Sequence, residues 1–260
     1  MQPLRDHTPA LPPIVLVGPG RVGKALDRAA SAHGIDAGLA GRSDLDAALA
    51  GREVALLCVP DSEIESASEA VVALADDLRV LGHTSGATGL DSLRAASEAG
   101  LATFSLHPLQ TVPDGETDLI GAPAAVAGSD PAALALAGRL AGALGMTPFE
   151  VPEEARAAYH AAACIASNFL VALEESAAGL LDAAGIEDGR ELLAPLVLRT
   201  AANWAERGGE ALTGPIARGD ERTVVAHLGA IAREAPHLEP LYRALAERTR
   251  QHAAGEGARA

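Results

Sequence analysis

Between Ile14 and Val151 the chain repeats one pattern: a short apolar run, then a longer segment with apolar positions at helical spacing. The runs are IVLVG, IDAGLA, EVALLCV, RVLGHTS, LATFSLH, AAVAG and TPFEV. Several are apolar at nearly every position, as strands buried on both faces are. The segments between them carry helix ends. Ser62 with Glu65 matches a capping box. Asp130-Pro131 supplies an N-cap and a first-turn proline, and Gly145 a stop. This alternation predicts an α/β fold with a doubly wound, mostly parallel sheet.

After Pro152 the strand pattern ends. The stretch EEARAAYHAAACIASNFLVALEESAAGLLDAAGI predicts one long helix, apolar almost all round and therefore buried. Further helices are expected over 190–207, 221–233 and 239–252, separated by the turn-rich ERGGEALTGPIARGD and REAPHLEP. The expected organisation is an α/β domain over 1–152 and an all-α domain over 153–260. The opening MQPLRDHTPALPP reads as a loose leader without an apolar signal core, and the closing AAGEGARA as a frayed tail.

Composition narrows the picture. Apolar residues make up 48% of the chain but aromatic ones only 2%, which favours closely packed helices around a small sheet. A net charge of −15 argues against nucleic acid and anionic membranes as partners. No run is expected to span a bilayer; the nearest candidate, Ala157 to Leu173, is alanine-rich and holds His, Ser and Asn. Cys58 and Cys164 lack metal-ligand spacing, so reduced thiols and no metal site are expected. A soluble cytoplasmic protein follows. Lys24 is its only lysine.

The sequence IVLVGPGRVGKAL places Gly18-x-Gly20-x-x-Gly23 between the first strand and the first helix. Gly18 allows the tight turn, Gly20 lets main chain approach a pyrophosphate, and Gly23 lets helix press on sheet. Arg21 and Val22 belong to the same turn. The helix start offers free N–H groups to phosphates. In such folds an acid about 20 residues on binds a free ribose 2′-hydroxyl. Here the second strand ends in Gly41, Arg42 and Ser43 instead, which suit a 2′-phosphate and favour NADP(H) over NAD(H). Asp36 lies too far back along that strand, and Asp44 is expected to start the next helix. A solvated surface arginine would explain Arg42 but not the missing acid.

Ligands of open α/β sheets bind outside the carboxyl ends of strands. Three further ends are unusual: CVPDS, GHTSGATG and LHPLQT. Val59 and Pro60 are expected to pack on the coenzyme, and Ser85-Gly86 to form a flexible turn beside the reactive ring. Asp61 and Ser62 read more simply as helix caps, and His83 as a core histidine with its bonds satisfied. His107 is either a site wall or structural; Gln110 and Thr111 accompany it as candidate substrate contacts.

These motifs resemble a known family: Rossmann-like proteins provisionally assigned as NADP oxidoreductases, with a helical C-terminal domain of unknown function. They are related to pyrroline-5-carboxylate reductase and ketopantoate reductase. The resemblance rests on GPGRVGKAL, GRS, CVPD, HTSGATGLDSL, SLHPLQT, YHAAACIASNFLVAL and LTGPIARGD, spanning Ile14 to Asp220. It implies an NADP-binding Rossmann domain, a helical domain like the C-terminal part of 6-phosphogluconate dehydrogenase, a homodimer, and an active site in the interdomain cleft. It supplies no substrate.

A reductase of this kind positions a C=O or C=N carbon and protonates the heteroatom, while the coenzyme carries the hydride. Related enzymes use a lysine and an asparagine one turn later on the first helix of the second domain, which a chain with only Lys24 cannot match. That helix instead carries His160, Cys164, Ser167 and Asn168 at offsets that place them on one face. His160 is the candidate acid, with Asn168 and Ser167 orienting the substrate; Tyr159 is a second candidate donor. The structural alternative ties Asn168 and Ser167 to nearby backbone and leaves Cys164 in a core. Arg218 is a candidate clamp for a substrate carboxylate, or equally a salt-bridge partner at a helix end, and Asp220 a helix cap. The leading expectation is an NADPH-dependent reductase of a small oxo acid such as ketopantoate. The alternatives are a cyclic-imine reductase and a non-catalytic NADP-binding sensor or scaffold.

Overall fold

In the computed structural model, which describes residues 11–255, the seven apolar runs form one seven-stranded sheet. Most of the expected leader and the end of the tail lie outside the described residues. The strands are β1 (Ile14–Val17), β2 (Ala37–Ala40), β3 (Val54–Leu57), β4 (Val80–His83), β5 (Ala102–Pro108), β6 (Pro123–Gly128) and β7 (Thr147–Glu150). Their order is β2-β1-β3-β4-β5-β6-β7. All neighbouring pairs are parallel except β5 with β6, where His107 lies opposite Ala125.

Side chains alternate across the sheet, so the central strands β1 and β3 feed two cores. Ile14, Leu16, Val54, Leu56, Phe104 and Leu106 pack with helices α1 (Arg21–Ala32) and α5 (Pro131–Ala143) on one face. Val15, Val17, Ala55, Leu57 and Leu81 pack on the other with α2 (Leu45–Leu49), α3 (Ile64–Leu74) and α4 (Arg94–Glu98). Burial on both faces is what the uninterrupted apolar runs require.

Asp130 caps α5 as its sequence predicts, accepting hydrogen bonds from the Ala132 and Ala133 N–H groups with Pro131 in the first turn. The helix runs out at Gly145, which sits at φ +83°. The capping box at Ser62 does not form. A 3₁₀ turn over Asp61–Glu63 precedes α3, so Glu63 occupies the cap position, and neither it nor Ser62 makes a side-chain cap. The turn after Pro60 shifts the helix start beyond the reach of Ser62.

The chain divides into two compact units, Met1–Cys164 and Ile165–Ala260, the division falling inside a helix. That helix is α6 (Arg156–Ala166); α7 (Asn168–Ala183), α8 (Gly189–Arg207), α9 (Glu221–Glu234) and α10 (Glu239–Ala253) follow. The last three match the expected ranges closely. The expected single long helix is interrupted instead: Ser167, at φ −124° and ψ −75°, separates α6 from α7. The expectation that it is buried also fails, because α7 has no buried residue. Ile165, Phe169 and Val171 are each more than 60% exposed. Helical periodicity identifies an apolar surface but not what covers it. Within Glu153–Ala183 one 18-residue stretch reaches a mean hydropathy of 1.3, long and apolar enough to cross a membrane by length and composition alone, a test that core helices of water-soluble proteins also pass.

The tightest constraint lies under the first helix. A Cβ on Gly23 would stand 2.0 Å from the Gly18 carbonyl oxygen, and Gly18 itself sits at φ +119°. We expect Gly23→Ala to destabilise the protein by about 3 kcal/mol, the upper part of the range for forced overpacking, read as a lowered midpoint in chemical unfolding. An unchanged midpoint would mean that helix and turn separate freely.

Candidate functional site

The strand order reverses at β1, whose neighbours are β2 and β3, and a doubly wound sheet opens a crevice at such a point. A groove of about 680 Å³ lies there. Gly18, Pro19 and Gly20 from the turn after β1, Gly41 and Arg42 from beyond β2, and Cys58, Val59 and Pro60 from beyond β3 all line it. The glycines fit the groove to a dinucleotide. A Cβ on Gly18 would meet the Cys58 carbonyl at 2.7 Å, whereas one on Gly20 would find nothing nearer than 3.9 Å, so main chain is open to a ligand there. Gly20 is the N-cap of α1, and Arg21, Val22 and Gly23 form its first turn, where N–H groups have no partner within the helix.

Beyond β2 the Asp44 carboxylate accepts from the Gly41 N–H at 3.0 Å and from the Ser43 hydroxyl at 3.4 Å. Asp44 therefore closes this turn and does not cap α2 with its side chain. Asp36, at the start of β2, pairs with Arg52. Arg42 pairs with Glu63 at 2.6 Å, and both line the groove. Cys58 is inert: burial pushes its thiol up to about 12, against an opposing hydrogen bond from Thr84.

The ends of β4 and β5 carry a second cluster. His83 is fully buried, its Nδ1 accepting from the Ser85 N–H at 3.2 Å and its Nε2 3.3 Å from the Gly89 carbonyl. The Ser85 hydroxyl in turn accepts from the Ala87 and Thr88 N–H groups. Ser85 is thus engaged within its own turn, and His83 pins that turn to β4. Gly86 lies beneath the His107 ring, whose Cε1 would be 2.7 Å from any Cβ there. His107 Nδ1 meets the Tyr159 hydroxyl at 2.6 Å, and the His160 ring centroid is 6.2 Å away. His160 Nε2 lies 3.6 Å from the Cys164 sulfur, while its Nδ1 is buried without a hydrogen-bond partner.

Below these rings Arg156 is only 4% exposed, bonded to Glu153 at 2.9 Å and to the Ser105 hydroxyl at 3.3 Å. Burial lowers His107 from its usual 6.5 to about 4, with His160 and Arg156 adding to the shift and Asp61 opposing it. Burial likewise takes His83 to about 4, and Arg156 adds to it. Burial raises the Tyr159 hydroxyl to about 12. At neutral pH the His83 and His107 imidazoles are neutral and the Tyr159 phenol is protonated.

The structure thus brings His107, His160, Tyr159 and Gly86 together within the first unit. Gln110 folds back so that its Oε1 accepts from the Thr111 N–H, and both residues are exposed on the loop after β5. The face expected to join His160, Cys164, Ser167 and Asn168 is not one helical face. The break at Ser167 ends α6 there; Asn168 starts α7, and the Ser167 hydroxyl donates to its side-chain oxygen at 3.0 Å. Arg218 is exposed in the second unit, in the turn before α9. Asp220 caps α9, its carboxyl held below the usual carboxylate range chiefly by the Thr223 hydroxyl, with help from Arg218. Sequence spacing points to neither Glu63 nor Arg156. Glu63 has no motif, while Arg156 stood out only as a guanidinium in an alanine-rich segment.

The first unit is therefore a Rossmann-type dinucleotide fold. Residues 122–249 match the profile of DUF2520, a domain of unknown function. Among curated proteins no sequence matches this one. Similar solved structures cover nearly the whole chain. BF3122 from Bacteroides fragilis, provisionally named an NADP oxidoreductase, is 22% identical, with 93% of this chain and 98% of that one covered and a TM-score of 0.76. TM1727 from Thermotoga maritima is 24% identical, with 94% and 99% covered and a TM-score of 0.71. The imine reductase of Myxococcus stipitatus in complex with NADP+ is 15% identical, with 94% and 95% covered and a TM-score of 0.65. At these identities the likeness establishes the fold.

His83 and His107 set an acid limit on stability. Unfolded, each takes up a proton near pH 6.5; folded, not until about pH 4. Between these values the unfolded chain binds more protons, so stability is lost as pH falls through the window. The thermal midpoint should drop from pH 6.5 towards pH 4, and drop less steeply in His107→Asn. A slope identical in the variant would contradict the buried neutral ring.

Proposed function

We propose that the protein is an NADP(H)-dependent oxidoreductase that reduces a carbon–oxygen or carbon–nitrogen double bond of a small molecule. The observation that carries this reading is the pairing of a glycine-built dinucleotide groove with the His107–Tyr159 contact over Gly86. Gly18, Gly20, Arg21, Val22 and Gly23 would hold the pyrophosphate, Arg42 and Ser43 the 2′-phosphate, and Val59, Pro60, Ser85 and Gly86 the nicotinamide end. Bound there, the coenzyme supplies a hydride. Tyr159 donates its phenolic proton to the substrate heteroatom, and the phenolate regains one through His107, whose Nδ1 passes a proton on as its Nε2 takes one from water. His160 borders this pair and offers its unpartnered Nδ1. Gln110, Thr111, Ser167, Asn168 and Arg218 are the remaining candidate substrate contacts, Arg218 for a carboxylate.

The first oxo acid to assay is one of ketopantoate type. A cyclic imine is the second reading, favoured by the likeness to an imine reductase in complex with NADP+. Saturation with NADPH at a hundredfold excess over its Kd should stabilise the protein by about 2.7 kcal/mol. Tyr159→Phe should lower turnover by about 100-fold or more with NADPH binding retained. Turnover unaffected in Tyr159→Phe would remove Tyr159 from the chemistry. Coenzyme binding without oxidation in the presence of any oxo acid or imine would favour a sensor or scaffold.

The proposal includes a homodimer formed on the bare apolar helices. Ile165, Phe169, Val171, Leu192, Leu196 and Leu198 are all more than 55% exposed, a surface that a monomer in water rarely keeps. A second copy fits better than a bilayer. Glu174 and Glu175 lie within α7, Glu175 paired to Arg190, and the net charge repels anionic lipid. Light scattering should give twice the mass of one chain, falling to one chain in Phe169→Glu. A wild-type monomer would refute the dimer.

A further inference from the structure

Arg42 and Glu63 come from different strand ends and meet at the rim of the dinucleotide groove, Nη2 to Oε2 at 2.6 Å. Arg42 follows β2, and Glu63 ends the 3₁₀ turn that leads into α3. The Arg42 side chain is 90% exposed and that of Glu63 42%, so the pair sits in water and is easily exchanged. Gly41 and Ser66 line the groove beside them. A guanidinium donates to phosphate, whereas a carboxylate accepts from hydroxyls and repels phosphate. A ribose with a 2′-phosphate and one with a free 2′-hydroxyl therefore make opposite demands on this pair.

We infer that Glu63 sets the choice between the two coenzymes. In the free protein it occupies on Arg42 the position a 2′-phosphate would take. To admit NADP(H) it must release the guanidinium. For NAD(H) it supplies, from the start of α3, the hydroxyl acceptor that the end of β2 lacks. The protein accordingly binds both coenzymes, with the phosphate form favoured by Arg42 and that advantage trimmed by Glu63. The inference rests on the coenzyme reading proposed above.

Titrating the intact protein with NADPH and with NADH, followed by nicotinamide fluorescence, tests it. Glu63→Gln should bind NADPH about two- to fivefold more tightly and NADH about two- to fivefold more weakly, the scale of an exposed ion pair. Arg42→Ala should bind NADPH about tenfold more weakly. In the double variant, Glu63→Gln should no longer improve NADPH binding, because the competition it relieves has gone. An NADPH-to-NADH ratio in Glu63→Gln equal to that of the wild type, whether both affinities hold or both fall, overturns the role of Glu63 and leaves the coenzyme reading standing. A wild-type protein that binds neither coenzyme overturns both.

Discussion

The first helix can touch the first strand's turn only because Gly23 has no side chain. The gap that a Cβ on Gly23 would find is 2.0 Å, far inside any van der Waals contact. That closeness seats α1 against the sheet and fixes where its N-terminal N–H groups stand. The reversal of strand order around β1 then leaves a crevice at the same place. Remove the close approach, and the groove loses its floor and its helix dipole together.

A second constraint operates at β4 and β5, where polar groups are buried and nearly all are matched. Arg156 enters the protein with two partners, Glu153 and Ser105, of which only Glu153 is charged and well exposed. Desolvation keeps the nearby imidazoles of His83 and His107 from charging, and a guanidinium so placed acts in the same direction. The two histidines then differ in use. His83 spends both ring nitrogens on the backbone of its own turn, whereas His107 turns one nitrogen to Tyr159. One ring builds the site and the other furnishes it.

Much of this was legible in the residues alone. Seven apolar runs became seven strands, β1 and β3 buried along their whole length, and Asp130 and Asp220 cap helices by purely local chemistry. Gly18 and Gly23 mark the groove because the turn admits nothing larger there, and Gly20 because it leaves main chain open to a ligand. What escaped depends on neighbours that sequence spacing does not encode. Ser62 was overruled by a turn one residue too long. The break at Ser167 and the exposure of Phe169 elude a periodicity that counts apolar positions without knowing their cover. Glu63 meets Arg42 across 21 residues of chain, with no motif to announce it.

The choice of cations has its own chemical consequence. Twenty residues are lysine or arginine, and only Lys24 carries a primary amine. Guanidinium groups do not condense with carbonyl compounds at neutral pH, but amines form Schiff bases with them. Among the side chains, therefore, an aldehyde or ketone finds a single candidate for covalent capture, exposed in the first helix beside Gly115. A protein surface so poor in side-chain amines offers carbonyl compounds few places to form a Schiff base.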